Sequence, residues 1–242
     1  MTPFQAKLIS VANLNEATKN LIDEKSAELL EDLTSNMLEV NKSLNLTAIK
    51  DEDGVILKHL VDSCACVPFI PKGSSLCDIG CGGGFPSLVI GILRGDVSVL
   101  GVDSVTKKVK YVKDSASLLS LDNVSVSNAR AEEMGQDNRY RQAFDVVTAR
   151  AVGRLNLICE LCLPLTKIGG RFLAMKSLST NEELEEAKRA IEILGGEIEF
   201  VKEYSLTNGQ ETVERTIVSI KKVKHTPNIY PRNNSQIAKK PL

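Results

Sequence analysis

The stretch that most constrains this chain is Asp78-Ile79-Gly80-Cys81-Gly82-Gly83-Gly84, directly after the apolar start of a short run, Ser75–Ile79. Glycine loses more conformational freedom on folding than any other residue and offers no side chain to pack. Four glycines in five positions therefore destabilise a fold unless a tight turn or a closely approaching ligand requires them. The apolar segment Pro86–Leu93 follows and suits a buried helix. A strand, a glycine loop and a helix in that order put the loop at the carboxyl end of a strand, where open α/β sheets bind ligands. A dinucleotide fingerprint, G-x-G-x-x-G, does not fit, because the sixth position counted from Gly80 is Phe85. The pattern D/E-x-G-x-G-x-G fits throughout, at Asp78, Gly80, Gly82 and Gly84.

That second pattern is the loop of S-adenosylmethionine (SAM) methyltransferases, and the downstream elements suit it. In such a loop the acid, here Asp78, supports the turn and the nearby ammonium of the methionine moiety. Val97–Val102 reads as a second strand closed by Asp103, where a carboxylate can accept hydrogen bonds from two ribose hydroxyls. Asp103 or Ser104 could equally cap the next helix. That helix carries Val105, Val109, Val112, Ala116 and Leu119 on one stripe, with Lys107, Lys108, Lys110 and Lys113 outside. After a third strand at Val124–Val126, Ala131 and Glu132 fall where adenine would sit, or begin a charged helix. Phe144–Thr148 and Arg171–Met175 read as the fourth and fifth strands, with Arg150 and Lys176 just past their ends and Gly169-Gly170 as a turn before the fifth. Leu155–Leu165 reads as helical, and Leu184, Ala187, Ile191 and Leu194 form a second helical stripe. Glu197–Tyr204 and Thr212–Ile220 leave no room for a helix between them and should pair antiparallel.

The expected fold is α/β: a Rossmann-like SAM-dependent methyltransferase fold with a mostly parallel seven-stranded sheet and an antiparallel final strand. A helical extension precedes it, with Leu30, Leu33, Met37, Val40 and Leu44 on one stripe. The division is residues 1–65 as the N-terminal helical extension, 66–222 as the SAM-binding domain and 223–242 as a basic C-terminal tail.

Charge is unevenly placed. The whole chain has a formal net charge of −1, but residues 221–242 carry six basic residues and no acidic one. Residues 1–64 carry six lysines against eleven acids. Pro227, Pro231 and Pro241 disfavour a helix in the tail, which is expected to run extended over the surface. Arg232, Lys239 and Lys240 are its candidate RNA contacts, against the plainer reading of a solvated end. No run of 18 uncharged apolar residues suggests a transmembrane helix, and the N-terminus lacks the apolar centre of a signal peptide. A cytoplasmic chain with reduced cysteines is expected.

Acceptor chemistry is constrained by what is missing. The place after the fourth strand reads Asp145-Val146-Val147-Thr148-Ala149-Arg150 and lacks the D/N-P-P-Y/F/W of adenine-N6 enzymes. No Pro-Cys pair offers the nucleophile of a cytosine-C5 enzyme. Cys159 and Cys162 lie in an apolar helix with no second pair downstream, which argues against zinc or redox work. With only two histidines, His59 and His225, general-base candidates are few. His59 could close the cofactor pocket or cap a turn.

Several phrases together resemble one family: Asn45-Leu46-Thr47-Ala48-Ile49, His59-Leu60-Val61-Asp62-Ser63, the loop from Asp78 to Pro86, Asp103-Ser104 with Lys107-Lys108, Arg130-Ala131-Glu132, Ala149-Arg150-Ala151, and the ending Tyr230-Pro231-Arg232 … Lys239-Lys240-Pro241-Leu242. Their order and ends are similar to the bacterial 16S ribosomal RNA guanine-N7 methyltransferases, also called glucose-inhibited division protein B. One departure is Ser87, where the family usually has glycine. The resemblance implies transfer of the SAM methyl group to N7 of a guanine near the decoding centre of the small ribosomal subunit, by direct in-line displacement. It implies that Gly80 and Phe85 line the cofactor pocket, that Asp103 holds the ribose, that Ala131 and Glu132 flank the adenine, and that Arg150 completes the site; Lys176, by its place at the end of the fifth strand, is a weaker catalytic candidate. It also implies 16S rRNA or the small subunit as partner; no metal, no membrane and action as a monomer are the accompanying expectations. A methyltransferase of a small molecule or protein, and a SAM-binding assembly factor without catalysis, remain open alternatives.

Overall fold

A computed structural model describes residues 1–177 and 181–242. Seven strands form one sheet in the order β3-β2-β1-β4-β5-β7-β6. They are β1 (Ser75–Ile79), β2 (Ser98–Asp103), β3 (Val124–Asn128), β4 (Phe144–Arg150), β5 (Thr166–Lys176), β6 (Gly196–Thr207) and β7 (Thr212–Lys222). Strands β1 to β5 are mutually parallel, and β7 runs antiparallel to both β5 and β6. The sheet and its antiparallel closure are those expected from the sequence. The chain leaves β1 towards β2 on one side and returns to β4 on the other. The carboxyl ends of β1 and β4 therefore flank the topological switch point, where the sheet opens a crevice.

Helices cover both faces. Helices α1 (Pro3–Leu14) and α2 (Glu24–Leu44) pack on one face with α5 (Ser87–Leu93) and α6 (Thr106–Leu118). Asp23 caps α2 by accepting from the Ser26 amide at 2.8 Å, and Asn45 ends it in a left-handed conformation at φ 49°. Leu30, Leu33 and Met37 of the expected stripe are fully buried, each a gain of about 1.5–3 kcal/mol over exposure. They share a core with Leu88 and Val89 of α5, Val112 of α6 and Leu206 of β6. Asn15, at the end of α1, exchanges two hydrogen bonds with the backbone of Thr207. The first 65 residues are therefore packed into the sheet's own core. Between α2 and β1 run α3 (Glu52–Val55), a π-helical turn (Ile56–Val61) and α4 (Asp62–Cys64), which together aim His59 and Asp62 at the crevice.

On the other face lie α7 (Ala131–Gln136), α8 (Leu155–Cys162), α9 (Asn181–Ile193) and α10 (Asn234–Lys239), around Cys159, Phe172, Ala187 and Ile237. All six cysteines are buried and unpaired. Among the described residues no three His, Cys, Asp or Glu side chains cluster as metal ligands, and no helix is long and apolar enough to cross a membrane.

Two expectations need correction. Gly169-Gly170 is not a turn before β5 but lies inside it, where the β4–β5 register shifts. A Cβ on Gly170 would meet the Asp145 carbonyl oxygen at 2.6 Å, so glycine is what lets the backbones come this close. The C-terminal tail is not an extended arm. It folds back, forms α10 despite its prolines, and buries Ile237 completely. The prolines fall outside α10, before and after it, so they bound the helix and do not interrupt it.

Candidate active site

Beyond the strand ends lie two adjoining recesses. The first is built on the glycine loop. Gly80, Gly82 and Gly84 all adopt positive φ, at 72°, 53° and 87°. A Cβ on Gly80 would strike Val152 at 2.8 Å, and one on Gly84 would strike Leu88 at 2.4 Å. At Gly82 the nearest atom is the Gly80 carbonyl oxygen at 3.7 Å, so there the backbone angle, not space, demands glycine. The loop is tied down by the Gly80 and Cys81 amides, which both donate to the Val102 carbonyl at 2.8 and 3.0 Å.

Asp103, at the end of β2, accepts from the Gly82 amide at 3.0 Å and from the Val105 amide at 2.8 Å. Each of its oxygens holds one backbone donor and keeps a lone pair for a ligand. Gly80, Val102, Asp103, Ala131, Glu132 and Val152 line this first cleft, and Asn234 from the tail reaches it too.

Asp78 sits behind the loop and does not line the cleft. Only 1% exposed, it accepts from the Thr148 hydroxyl at 2.9 Å and the Ser87 amide at 3.2 Å. Burial raises its carboxyl to about 6, against the pull of those hydrogen bonds. It therefore holds the start of α5 to the sheet. Contact with a ligand's ammonium, the other part of its expected role, does not follow from this position. Ser87, the departure from the family's glycine, fits without exposure, and its hydroxyl finds no partner.

The second recess is lined by Asp62, Arg150, Val152, Met175, Lys176 and Arg215. Arg150 donates to the Lys58 carbonyl at 2.9 Å, the Asp62 carboxylate at 3.0 Å and the Phe85 carbonyl at 3.3 Å. Its guanidinium lies over the Phe85 ring at 5.9 Å. Asp62, 4% exposed, also takes a hydrogen bond from Arg215 Nε at 3.0 Å. One buried carboxylate thus holds two arginines from strands far apart in the chain. Lys176 Nζ donates to the Gly153 carbonyl and pairs with Glu183, both at 2.7 Å. Phe85 stacks on His59 with ring centroids 4.8 Å apart. Burial, and then the charge of Arg150, hold the His59 ring neutral and lower it to about 4. Its Nε2 faces the Thr47 hydroxyl at 2.7 Å and its Nδ1 faces Arg150 at 3.4 Å. With Nδ1 accepting from the guanidinium, the proton belongs on Nε2.

Of the residues singled out from sequence, Gly80, Asp103, Ala131 and Glu132 meet in the first cleft. Gly82, Gly84 and Asp78 shape the loop behind it. Arg150 and Lys176 meet in the second recess, with Phe85 beneath Arg150. Arg232 points inward: its Nε and Nη2 donate to Glu160 at 2.8 and 2.6 Å, and Glu160 is fully buried. Lys239 and Lys240 are exposed. Sequence reasoning did not single out Val152, Arg215 or Asn234 for the site. The only signal for Arg215 was a cation early in the last strand.

A family model described as rRNA small subunit methyltransferase G (GidB) matches residues 26–214. The chain belongs to this family. Ribosomal RNA small subunit methyltransferase G of Lactobacillus delbrueckii subsp. bulgaricus is 46% identical over 210 residues, spanning 85% of this chain and 87% of that protein. The protein of the same name from Lactobacillus johnsonii is 42% identical over 225 residues, 91% of this chain and 93% of its own. Among solved structures, a precorrin-6y C5,15-methyltransferase from Geobacter metallireducens superposes with a TM-score of 0.50 at 18% identity, over 74% of this chain and 91% of that one. That likeness concerns the fold. A member of the methyltransferase G family takes its methyl group from SAM, and the first cleft fits that molecule. Gly80 lines it without a side chain, the Asp103 carboxylate keeps free lone pairs, and Ala131 adds little bulk beside them.

Proposed function

We propose that the chain methylates N7 of a guanine in 16S rRNA near the decoding centre, acting as a cytoplasmic monomer on rRNA or the small subunit. The observation that carries this reading is the adjacency of the two recesses, which share Val152 as a wall. One is built of glycine backbone with the carboxylates of Asp103 and Glu132, and the other of Arg150 and Arg215 around Asp62, with Lys176 beside them paired to Glu183.

In this reading Gly80, Asp103, Ala131 and Glu132 hold SAM, which supplies an electrophilic methyl group on a sulfonium. Asp103 orients the ribose by accepting from its hydroxyls. The second recess receives the base. Arg150, Lys176 and Arg215 face the O6 edge of the base, whose oxygen accepts hydrogen bonds while the N7 lone pair stays free for the methyl group, and they offset phosphate charge nearby. Guanine N7 is unprotonated at neutral pH and loses no proton on attack, so no general base is needed. His59 suits that chemistry: it is neutral, buried, and engaged at both nitrogens, which makes it a spacer under Arg150 and not a proton carrier. The contribution of the protein is alignment and exclusion of water. Asp78, Gly82, Gly84 and Phe85 serve by fixing the loop and the floor.

The test is transfer of labelled methyl from SAM to 16S rRNA and to small subunits from a strain lacking the protein, followed by nucleoside analysis. The reading requires 7-methylguanosine at one site. Methyl in another nucleoside, or only in small molecules or protein, would refute it, and SAM binding without transfer would leave an assembly factor.

A further inference from the structure

The family match ends at residue 214, yet the chain continues through the rest of β7 into a segment that is built into the molecule. Lys222, fully buried, donates to the Leu194 carbonyl at 2.5 Å and to the Thr226 hydroxyl. Arg141 donates to the Thr226 and Tyr230 carbonyls at 2.7 and 2.8 Å. Gln136, the last residue of α7, donates to the Pro231 carbonyl at 2.9 Å. A Cβ on Gly135 would meet Pro231 at 2.6 Å, so α7 and the tail touch at a distance only glycine permits. Arg232 then forks onto buried Glu160 of α8. The tail is thus clamped to both helices that border the adenine end of the first cleft.

These clamps bring one polar residue to the edge of the cleft. Asn234 lines it beside Ala131, Glu132 and Leu161. Asn234 is not needed where it stands for structure. The cap of α10 is Asn233, whose side chain accepts from the Gln236 amide at 3.0 Å. Asn234 is exposed, and among the described residues its amide has no protein partner. An asparagine amide offers one donor and one acceptor side by side, the complement of adenine N7 and its N6 amino group.

We propose that Asn234 is a specificity residue for the adenine of SAM, carried into the cleft by the C-terminal segment. The proposal rests on the assignment of the first cleft to SAM. It makes the tail part of the cofactor site, with Arg232 as a positioning residue that acts through α10.

The experiment is calorimetric titration of the full-length protein with S-adenosylhomocysteine and with its inosine counterpart, which lacks the N6 amino group. Asn234→Ala should raise Kd for the adenosine ligand about 5- to 10-fold, the loss of a hydrogen bond or two, and raise it distinctly less for the inosine ligand, which keeps N7 but has no N6 donor for the asparagine oxygen. The melting temperature should not change. Asn234→Gln should recover part of the loss. If Asp103→Ala weakens both ligands and Asn234→Ala weakens neither, the cleft holds the cofactor and the proposal for Asn234 falls. An equal loss for both ligands in Asn234→Ala would also overturn it, because the contact would not be to the adenine edge. If neither variant weakens binding, the cleft assignment falls with it.

Discussion

The two recesses share a wall but are built from opposite materials. The first rests on backbone: a loop of three positive-φ glycines, of which Gly80 lines the cleft, beside Glu132 and Asp103, whose oxygens are half used by amides. The second is mostly side chain: Arg150 and Arg215 drawn together by buried Asp62, with Lys176 alongside. The first suits a neutral nucleoside bearing a cation, and the second suits a polyanion. The two should also fail differently. Backbone shape fails outright when a Cβ is added, whereas a cationic recess loses affinity in steps.

The largest expected effect is in the glycine loop. Gly80→Val places a branched side chain against Val152 at a φ of 72°, and SAM binding should fall below detection by calorimetry while the far-UV spectrum stays native. Gly82→Val should also weaken binding, through backbone strain, since space there is open.

Next, Asp103→Ala should weaken SAM binding by about 1.5–3 kcal/mol, because it removes the ribose acceptor and frees the Gly82 amide. KM for rRNA should stay the same. A shift in both constants would mean that the recesses are coupled through more than Val152.

The floor of the second recess should report on pH. His59 is lowered from 6.5 to about 4, so the unfolded chain binds its proton first and stability is lost as pH falls from 6.5 towards 4. At pH 5 the loss from this group is about 2 kcal/mol relative to pH 7. Asp78 acts in the opposite sense. Raised to about 6, it favours the folded state as pH falls through that range. The difference between wild type and His59→Phe in urea unfolding isolates the histidine. Equal pH slopes in the two proteins would contradict the buried neutral ring.

The smallest effect belongs to a single cation. Arg215→Gln should raise KM for rRNA roughly fivefold, about 1 kcal/mol, and flatten its salt dependence. Asp62 keeps Arg150 as a partner, so the fold should hold.

The same contrast explains what could be read from the chain. The first cleft is nearly contiguous. Asp78 to Gly84 is a single phrase, and Asp103 and Ala131 each follow a strand by a fixed logic. The second recess gathers residues 62, 150, 176 and 215, and no periodicity links them. In the sequence Asp62 is only one letter of the phrase His59–Ser63, because its role depends on a fold that brings Arg150 and Arg215 to either side of it. The bulge at Gly169-Gly170 was read as a turn because glycine pairs mark both, and only the approach of the Asp145 carbonyl separates the two. The tail misled most. Its charge and prolines describe a solvated arm, but buried Glu160 and the space left by Gly135 were waiting for it, and neither is visible one residue at a time.

The division of labour between the recesses is tested most directly by one set of steady-state measurements. KM for SAM and KM for 16S rRNA are determined side by side for wild type, Asp103→Ala and Arg215→Gln. The account predicts that Asp103→Ala raises only the SAM constant and Arg215→Gln only the rRNA constant. If either variant raised both constants to the same extent, or raised the opposite one, the assignment of one recess to the cofactor and the other to the nucleic acid would be contradicted.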